Sequence, residues 1–191
     1  DMLNDLYMGA QDIKKIVEGL KDYARSPSES ASLAIVDANE AILYAARLLK
    51  HTIAVSTDRF SMTLADSLPK VRADRLKLTQ VLVNALENAL QAISGRSDGV
   101  SVSSESVDDP ELGRSVAIRI ADEGVGMEPE VLASVFSPFF TTKRDRGGSG
   151  LGMPVALGLV QDMRGTIDIQ SERGAGTTVT IRIPVWQGAE G

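Results

Sequence analysis

Gln80-Val81-Leu82-Val83-Asn84-Ala85-Leu86-Glu87-Asn88-Ala89 carries two different messages on one helix. Asn84, Glu87, Asn88 and Gln91 are spaced three, one and three residues apart, so at about 100° per residue they share an arc of roughly 100°. Lys77 and Gln80 extend the stripe toward the helix start. Val81, Leu82, Ala85, Leu86, Ala89 and Ile93 take the other sides. A helix apolar around most of its circumference is buried, so its polar stripe must meet something polar. Exposed faces favour Lys and Glu, and asparagine is a poor helix former. Two asparagines therefore point to a stripe that faces a ligand, with a solvated face as the alternative. An asparagine amide oxygen is a hard ligand of the kind Mg²⁺ accepts, and that ion keeps most of its waters while bridging to phosphate.

Working outward, Asp74 is a good N-cap for this helix, which is expected to run to about Ser94. Residues 33–36 predict a short apolar strand, and Asp37 with Glu40 three residues on predicts a capped helix to about Ile53. Phe60, Met62 and Leu64 alternate with Ser61, Thr63 and Ala65, the pattern of a half-buried strand. Further strands are expected near residues 100–105 and 115–122, then a short helix from Pro129 and a loop over roughly 137–150. A helix over 152–164 and a closing hairpin of 166–170 with 177–183, turned at Gly174 and Gly176, complete the chain. Mixed strands with helices able to cover one face predict an α+β architecture, a two-layer α/β sandwich.

Two glycine-rich stretches flank this frame. Asp122-Glu123-Gly124-Val125-Gly126-Met127 follows a strand; it is either a tight turn or a place where backbone approaches a flat ligand and a carboxylate accepts from an exocyclic amine. Arg146-Gly147-Gly148-Ser149-Gly150-Leu151-Gly152-Met153-Pro154 opens a helix, and exposed amides at a helix start favour anions. Neither the Walker A lysine spacing nor a strand-borne G-x-G-x-x-G is present. Thr141-Thr142-Lys143-Arg144-Asp145-Arg146 adds positive charge, as a lid over phosphates would. The balance of 20 basic to 26 acidic residues argues against nucleic acid as a main partner. The 191 residues include no cysteine, which excludes disulfides and thiolate chemistry. The single histidine, His51, lies opposite Ile42 on its expected helix and has no acidic neighbour, which argues against a serine–histidine–aspartate hydrolase. No apolar run reaches membrane-span length.

In order, these motifs resemble those of the sensor histidine kinases of two-component systems. Residues 80–89 resemble their N box, 122–126 the G1 box, 137–143 (Ser-Pro-Phe-Phe-Thr-Thr-Lys) the F box, 148–152 the G2 box and 174–177 the closing glycine-threonine motif. The resemblance implies the Bergerat ATP-binding fold of the GHKL superfamily, shared with type II topoisomerases, mismatch-repair ATPases and heat-shock chaperones. It implies ATP and Mg²⁺ as cofactors. Asp122 would accept from the adenine amine with Thr177 in support, while Gly124 and Gly126 let the backbone pass the base. Asn88 would hold the metal and Asn84 would lie close to the triphosphate. Gly148, Ser149, Gly150, Leu151, Gly152 and Met153 would hold phosphate oxygens, beside Thr142, and Lys143 would approach the γ-phosphate. Asn84, Glu87 and Lys143 are the catalytic candidates.

The expected organisation is a hairpin helix over residues 1–26, a linker over 27–32, a catalytic ATP-binding domain over 33–187 and a tail over 188–191. Leu3, Leu6, Ala10, Ile13, Val17, Leu20 and Ala24 alternate spacings of three and four, a coiled-coil seam. By resemblance this is the second helix of the dimerisation hairpin, and the first, with the phosphoacceptor histidine, is missing. A chain that opens at Asp1 without methionine is expected to be a piece of a longer one. The implied partners are a histidine-bearing helix, a response-regulator receiver domain and, in the whole protein, a second copy; the implied compartment is the cytoplasm. Relatives that hydrolyse ATP carry a glutamate four residues before the metal asparagine, where this chain has Asn84. A Bergerat-fold ATPase or a non-catalytic nucleotide-binding regulator are the competing readings. The seam also predicts concentration-dependent self-association that Ile13→Asp reduces; sedimentation of a strict monomer at high concentration would contradict it.

Overall fold

Val116, Ile118 and Ile120 repeat at every second residue, as do Val179, Ile181 and Ile183, and all six are nearly inaccessible. They form the inner face of a sheet. The computed structural model describes residues 33–143 and 148–188. Its elements are β1 (Ala34–Val36), α1 (Ala38–Leu48), α2 (Lys50–Ser56), β2 (Arg59–Leu64), β3 (Val71–Ala73) and α3 (Arg75–Ala92). They continue as β4 (Gly99–Asp109), β5 (Gly113–Asp122), α4 (Pro129–Ser134), α5 (Gly152–Asp162), β6 (Thr166–Glu172) and β7 (Gly176–Pro184).

The main sheet has five strands in the order β2-β4-β5-β7-β6. β2 lies parallel to β4, and every other pair is antiparallel. In register, Ile120 lies between Val102 and Val179, and Ile118 faces Ile181, so rows of β-branched side chains cross the sheet. α3 packs against both α1 and α5 over that face. Leu78, Val81, Leu82, Ala85 and Leu86 are essentially closed to solvent, together with Ala41, Ile42 and Ala45 of α1. Truncating a packed leucine of this kind costs about 2–5 kcal/mol, which fixes the face α3 presents inward. The two-layer α+β sandwich is the architecture observed.

Local chemistry starts the helices as expected. The Asp74 side chain accepts from the amides of Leu76 and Lys77 at 2.9 and 3.1 Å. Asp37 accepts from the Asn39 amide at 2.9 Å and from the Lys70 ammonium at 2.8 Å, which holds its carboxyl below the usual carboxylate range.

Two expectations need correction. The helix expected from Asp37 to about Ile53 is two helices, because Leu49 leaves the α-helical region at φ −94°, ψ 10° and turns into the core. Met62 does not share the burial of Phe60 and Leu64: it is 41% exposed, on a strand that edges the sheet. Residues 71–73, unassigned in the sequence reading, form β3, which pairs with β1 as a separate two-stranded sheet. The expected strands at 100–105 and 115–122 are real but longer, joined by a turn whose Asp109 carboxylate accepts from the amides of Glu111 and Leu112. The expected seam helix and linker lie outside the described residues, as do Arg144, Asp145, Arg146 and Gly147 of the basic stretch and all but Gly188 of the tail. Among the described residues no helix is long and apolar enough to cross a membrane.

Candidate active site

The polar stripe of α3 faces a cleft of about 260 Å³, not bulk solvent. Asn84, Glu87, Asn88 and Gln91 all line it, so the helical period read in the sequence brings the four together on one wall. Asn84 donates from Nδ2 to the carbonyl of Gly152, at 3.0 Å, which ties α3 to the first residue of α5. Its amide oxygen is thereby turned away from that carbonyl. The Asn88 side chain has no hydrogen-bond partner among the described residues, while its backbone carbonyl accepts from Lys143 Nζ at 3.4 Å.

Asp122 closes β5 and is the buried acid of the site, 8% exposed. Its Oδ1 accepts from the Gly124 amide at 2.9 Å, and the Thr177 amide, directly across from it in β7, also points to the carboxyl. Burial raises this carboxyl above its ordinary range; the two amides and the Lys143 ammonium act in the opposite direction without cancelling the shift. A carboxylate with most of its surface removed from water, and one side open to a cleft, is an acceptor waiting for a donor.

Gly126 also lines the cleft. Its φ of 62° is left-handed, and a Cβ there would meet the carbonyl oxygen of Glu172 at 1.9 Å, so only glycine closes this turn against β6. Thr177 lines the cleft beside Asp122, and Thr142, Lys143, Gly148, Ser149 and Gly150 line it too, with Gly152 and Met153 at the start of α5. Lys143 is held by its own amide, which donates to Thr141 Oγ1 at 3.0 Å, and the Ser149 hydroxyl accepts from the Leu151 amide at 3.3 Å.

Two expected site residues do not line the cleft. Gly124 lies behind it, bonded to Asp122, and Leu151 is 2% exposed within the core. His51 is exposed on α2, away from the cleft lining. The sequence reading missed the apolar wall, which comprises Val125, Met127, Val131, Val135, Ile169 and Val179. Ile169 and Val179 are a registered pair on β6 and β7, so their alternation was readable, but an apolar residue reads the same whether it faces core or cleft. It also missed Glu123, which accepts from the Gly99 amide at 2.8 Å and from both terminal nitrogens of Arg59 at 2.6 and 3.1 Å. That pairing anchors the turn after Asp122 to β2 and β4 and holds the Glu123 carboxyl below its ordinary range, first through the Gly99 amide. No signal in the sequence links residues 64 positions apart.

A cleft with an apolar wall, one buried carboxylate acceptor, and amides, hydroxyls and a lysine in its lining suits a planar polar base joined to an anion. Comparisons with known proteins agree. Residues 73–187 match the family model described as histidine kinase-, DNA gyrase B- and HSP90-like ATPase. The chain is 35% identical over 92% of its length to the sensor histidine kinase ZraS of Escherichia coli K12 and spans 36% of that protein. It is 32% identical over 75% of its length to sporulation kinase E of Bacillus subtilis and spans 18% of it. Among solved structures, full-length ShkA in complex with AMPPNP superposes with a TM-score of 0.78 at 25% identity, covering 95% of this chain and 38% of ShkA. The catalytic domain of histidine kinase ThkA gives a TM-score of 0.68 at 27% identity, covering 80% of this chain and 97% of that domain. With more than half of its length matched by the family model and a sensor kinase related along nearly all of it, the chain belongs to the histidine kinase-, DNA gyrase B- and HSP90-like ATPase family.

Proposed function

We propose that this chain is the ATP-binding catalytic part of a sensor histidine kinase, transferring the ATP γ-phosphoryl group to a histidine on another helix for onward passage to a receiver domain. The observation that carries this reading is the convergence of Asp122, the amide stripe of α3 and the glycine loop before α5 on one cleft. The chain spans about a third of the length of the sensor kinase relative, so the acceptor helix, the receiver protein and pairing into a dimer belong to the proposal for the whole protein.

In this reading Asp122 accepts from the adenine amine, Thr177 stands beside it, and the apolar wall sandwiches the base. Gly148, Ser149, Gly150, Gly152 and Met153 present backbone to the phosphates, with the N-terminus of α5 behind them. Leu151 supports that loop from the core, and Gly124 fixes the turn that aims Asp122. An imidazole nitrogen attacks the γ-phosphorus, the bond to the bridging oxygen of the β-phosphate breaks, and ADP leaves. The protein's part is positioning and charge, with Lys143 and Thr142 at the phosphate end. The catalysis takes place where ATP is supplied, in the cytoplasm.

Mg²⁺ fits the donor set. Among the described residues no cluster of three or more acidic, histidine or cysteine side chains can hold a metal by itself. One amide oxygen from Asn88, with phosphate oxygens and water, matches an ion that binds through substrate phosphates and few protein ligands. When bound it neutralises charge on those phosphates. Glu87, beside Asn88 on the cleft wall, completes the polar face. The ATPase alternative is disfavoured by Asn84, whose amide is engaged with Gly152 and has no basicity with which to activate water.

The reading is tested by calorimetry with and without Mg²⁺. Asn88→Ala is expected to spare adenosine binding and to lose most of the Mg²⁺-dependent gain in ATP affinity. An ATP affinity indifferent to Mg²⁺ in both proteins would remove Asn88 from the metal.

A further inference from the structure

Arg59 belongs to none of the motifs read in the sequence and lies outside the cleft lining, yet its side chain grips the turn that follows Asp122. It opens β2, an edge strand, where it pairs in register with Gly99 of β4. Thr57 fixes that starting point: its buried hydroxyl accepts from the Arg59 amide at 2.9 Å and donates to the Asp98 carbonyl at 2.6 Å. From there the guanidinium spans two partners. Nη1 donates to Glu123 Oε2 at 2.6 Å and to the Ser97 carbonyl at 2.9 Å, while Nη2 donates to Glu123 Oε1 at 3.1 Å. A planar fork on a carboxylate fixes direction as well as distance.

The fork holds the residue between Asp122 and Gly124. Glu123 is also joined to Gly99 by two bonds: its amide donates to the Gly99 carbonyl at 3.0 Å, and its carboxylate accepts from the Gly99 amide at 2.8 Å. Other parts of the turn rest directly on backbone. A Cβ at Gly124 would meet the carbonyl oxygen of Ala92, the last residue of α3, at 2.4 Å, and the Val125 amide donates to that same carbonyl at 3.0 Å. The turn is thus backed by α3 at Gly124 and by β6 at Gly126, and Glu123 is its tether to β2 and β4. The Gly124 amide that donates to Asp122 Oδ1 belongs to this turn, so a shift of the turn swings the carboxylate with it.

We propose that Arg59 is a positioning residue for the nucleotide: through Glu123 it holds the turn so that the Asp122 carboxylate faces the exocyclic amine of the base. This rests on the ATP-binding reading and deepens it. Arg59 lines no part of the cleft, so it acts only through the contact that Asp122 makes. Exposure sets the size of the effect. The Arg59 and Glu123 side chains are 58% and 54% exposed, so water competes for the pair, and its loss costs less affinity than loss of the Asp122 carboxylate itself. Selectivity separates aiming from folding. Inosine triphosphate carries the same phosphates with a carbonyl where adenine has its amine, and a misaimed acceptor no longer tells the two apart.

The test is calorimetry of the 191-residue chain with Mg²⁺-ATP and with Mg²⁺-inosine triphosphate, with thermal unfolding alongside. Wild type should prefer ATP by about tenfold or more. Arg59→Ala should weaken ATP binding about three- to fivefold and leave inosine triphosphate within about twofold, so the preference narrows while Tm holds. Glu123→Ala, which also frees the turn from Gly99, should weaken ATP binding at least as much, and adding Arg59→Ala to it should change nothing further. Wild-type ATP affinity in Arg59→Ala overturns the proposal. So does an equal loss of both nucleotides with a lowered Tm, which would make Arg59 a folding residue only, or a double variant whose losses multiply, which would take Glu123 out of the route. A wild-type chain that binds both nucleotides equally, or neither, overturns the assignment of Asp122 to the adenine amine, and the role of Arg59 with it.

Discussion

Asp122→Asn is expected to weaken ATP and ADP binding by about tenfold or more while the fold stays intact. The carboxylate is the buried acceptor of the cleft, and leaving a buried hydrogen-bonding group unmatched costs about 1–3 kcal/mol. Asparagine presents an amine where adenine also presents one. Stability should move the other way. Burial raises the Asp122 carboxyl above its ordinary value near 3.8, so the folded state favours the protonated form. Its contribution to stability is therefore fully present below about that pH and is lost as pH rises through the raised value. Asparagine suffers no such loss, so the variant should gain on the wild type across that window and then hold level. Calorimetry gives the affinity and thermal unfolding at several pH values gives the stability. Equal affinity in the two proteins would take Asp122 out of the site, and a variant less stable at every pH would contradict the burial argument.

The parts of this molecule that were legible in the sequence are those with a local period or a local constraint. Asn84, Glu87, Asn88 and Gln91 share a cleft wall because 3.6 residues per turn leaves no other placement once the apolar residues face the core. Asp74 and Asp37 were readable as caps because the amides they satisfy lie within the next three residues. What was not legible depends on contacts far apart in the chain. The parallel pairing of β2 with β4 joins strands about forty residues apart. β3 has three residues, too few to show a period of two. The break at Leu49 is invisible because no glycine or proline marks it, and tertiary burial of Leu49 decides it. Gly124 and Gly126 look alike in the motif, yet one bonds to Asp122 behind the cleft and the other lines it. The left-handed turn at Phe139 has no propensity signal at all, since phenylalanine is a residue that conformation disfavours.

The largest expected effect comes from the acceptor. The chain has one histidine, His51, exposed on α2 and outside the cleft lining, so its own phosphorylation should be negligible. Hydrolysis should be slow too, because Asn84 is an amide engaged with the Gly152 carbonyl and has no basicity with which to activate water. Mg²⁺-ATP should therefore bind without leaving acid-labile phosphate on this chain. Joining it to the histidine-bearing helix, in one chain or as a separate hairpin, should switch labelling on by orders of magnitude, since correct positioning supplies most of the catalysis in phosphoryl transfer.

The measurement closest to the central claim is incorporation of radiolabel from ATP into three proteins: this chain, its His51→Ala variant, and the chain extended upstream through the histidine helix. The account predicts nucleotide binding in all three, essentially no acid-labile label in the first two, and strong label on the added histidine in the third. Strong labelling of the present chain that disappears in His51→Ala would contradict it, because His51 would then be the acceptor.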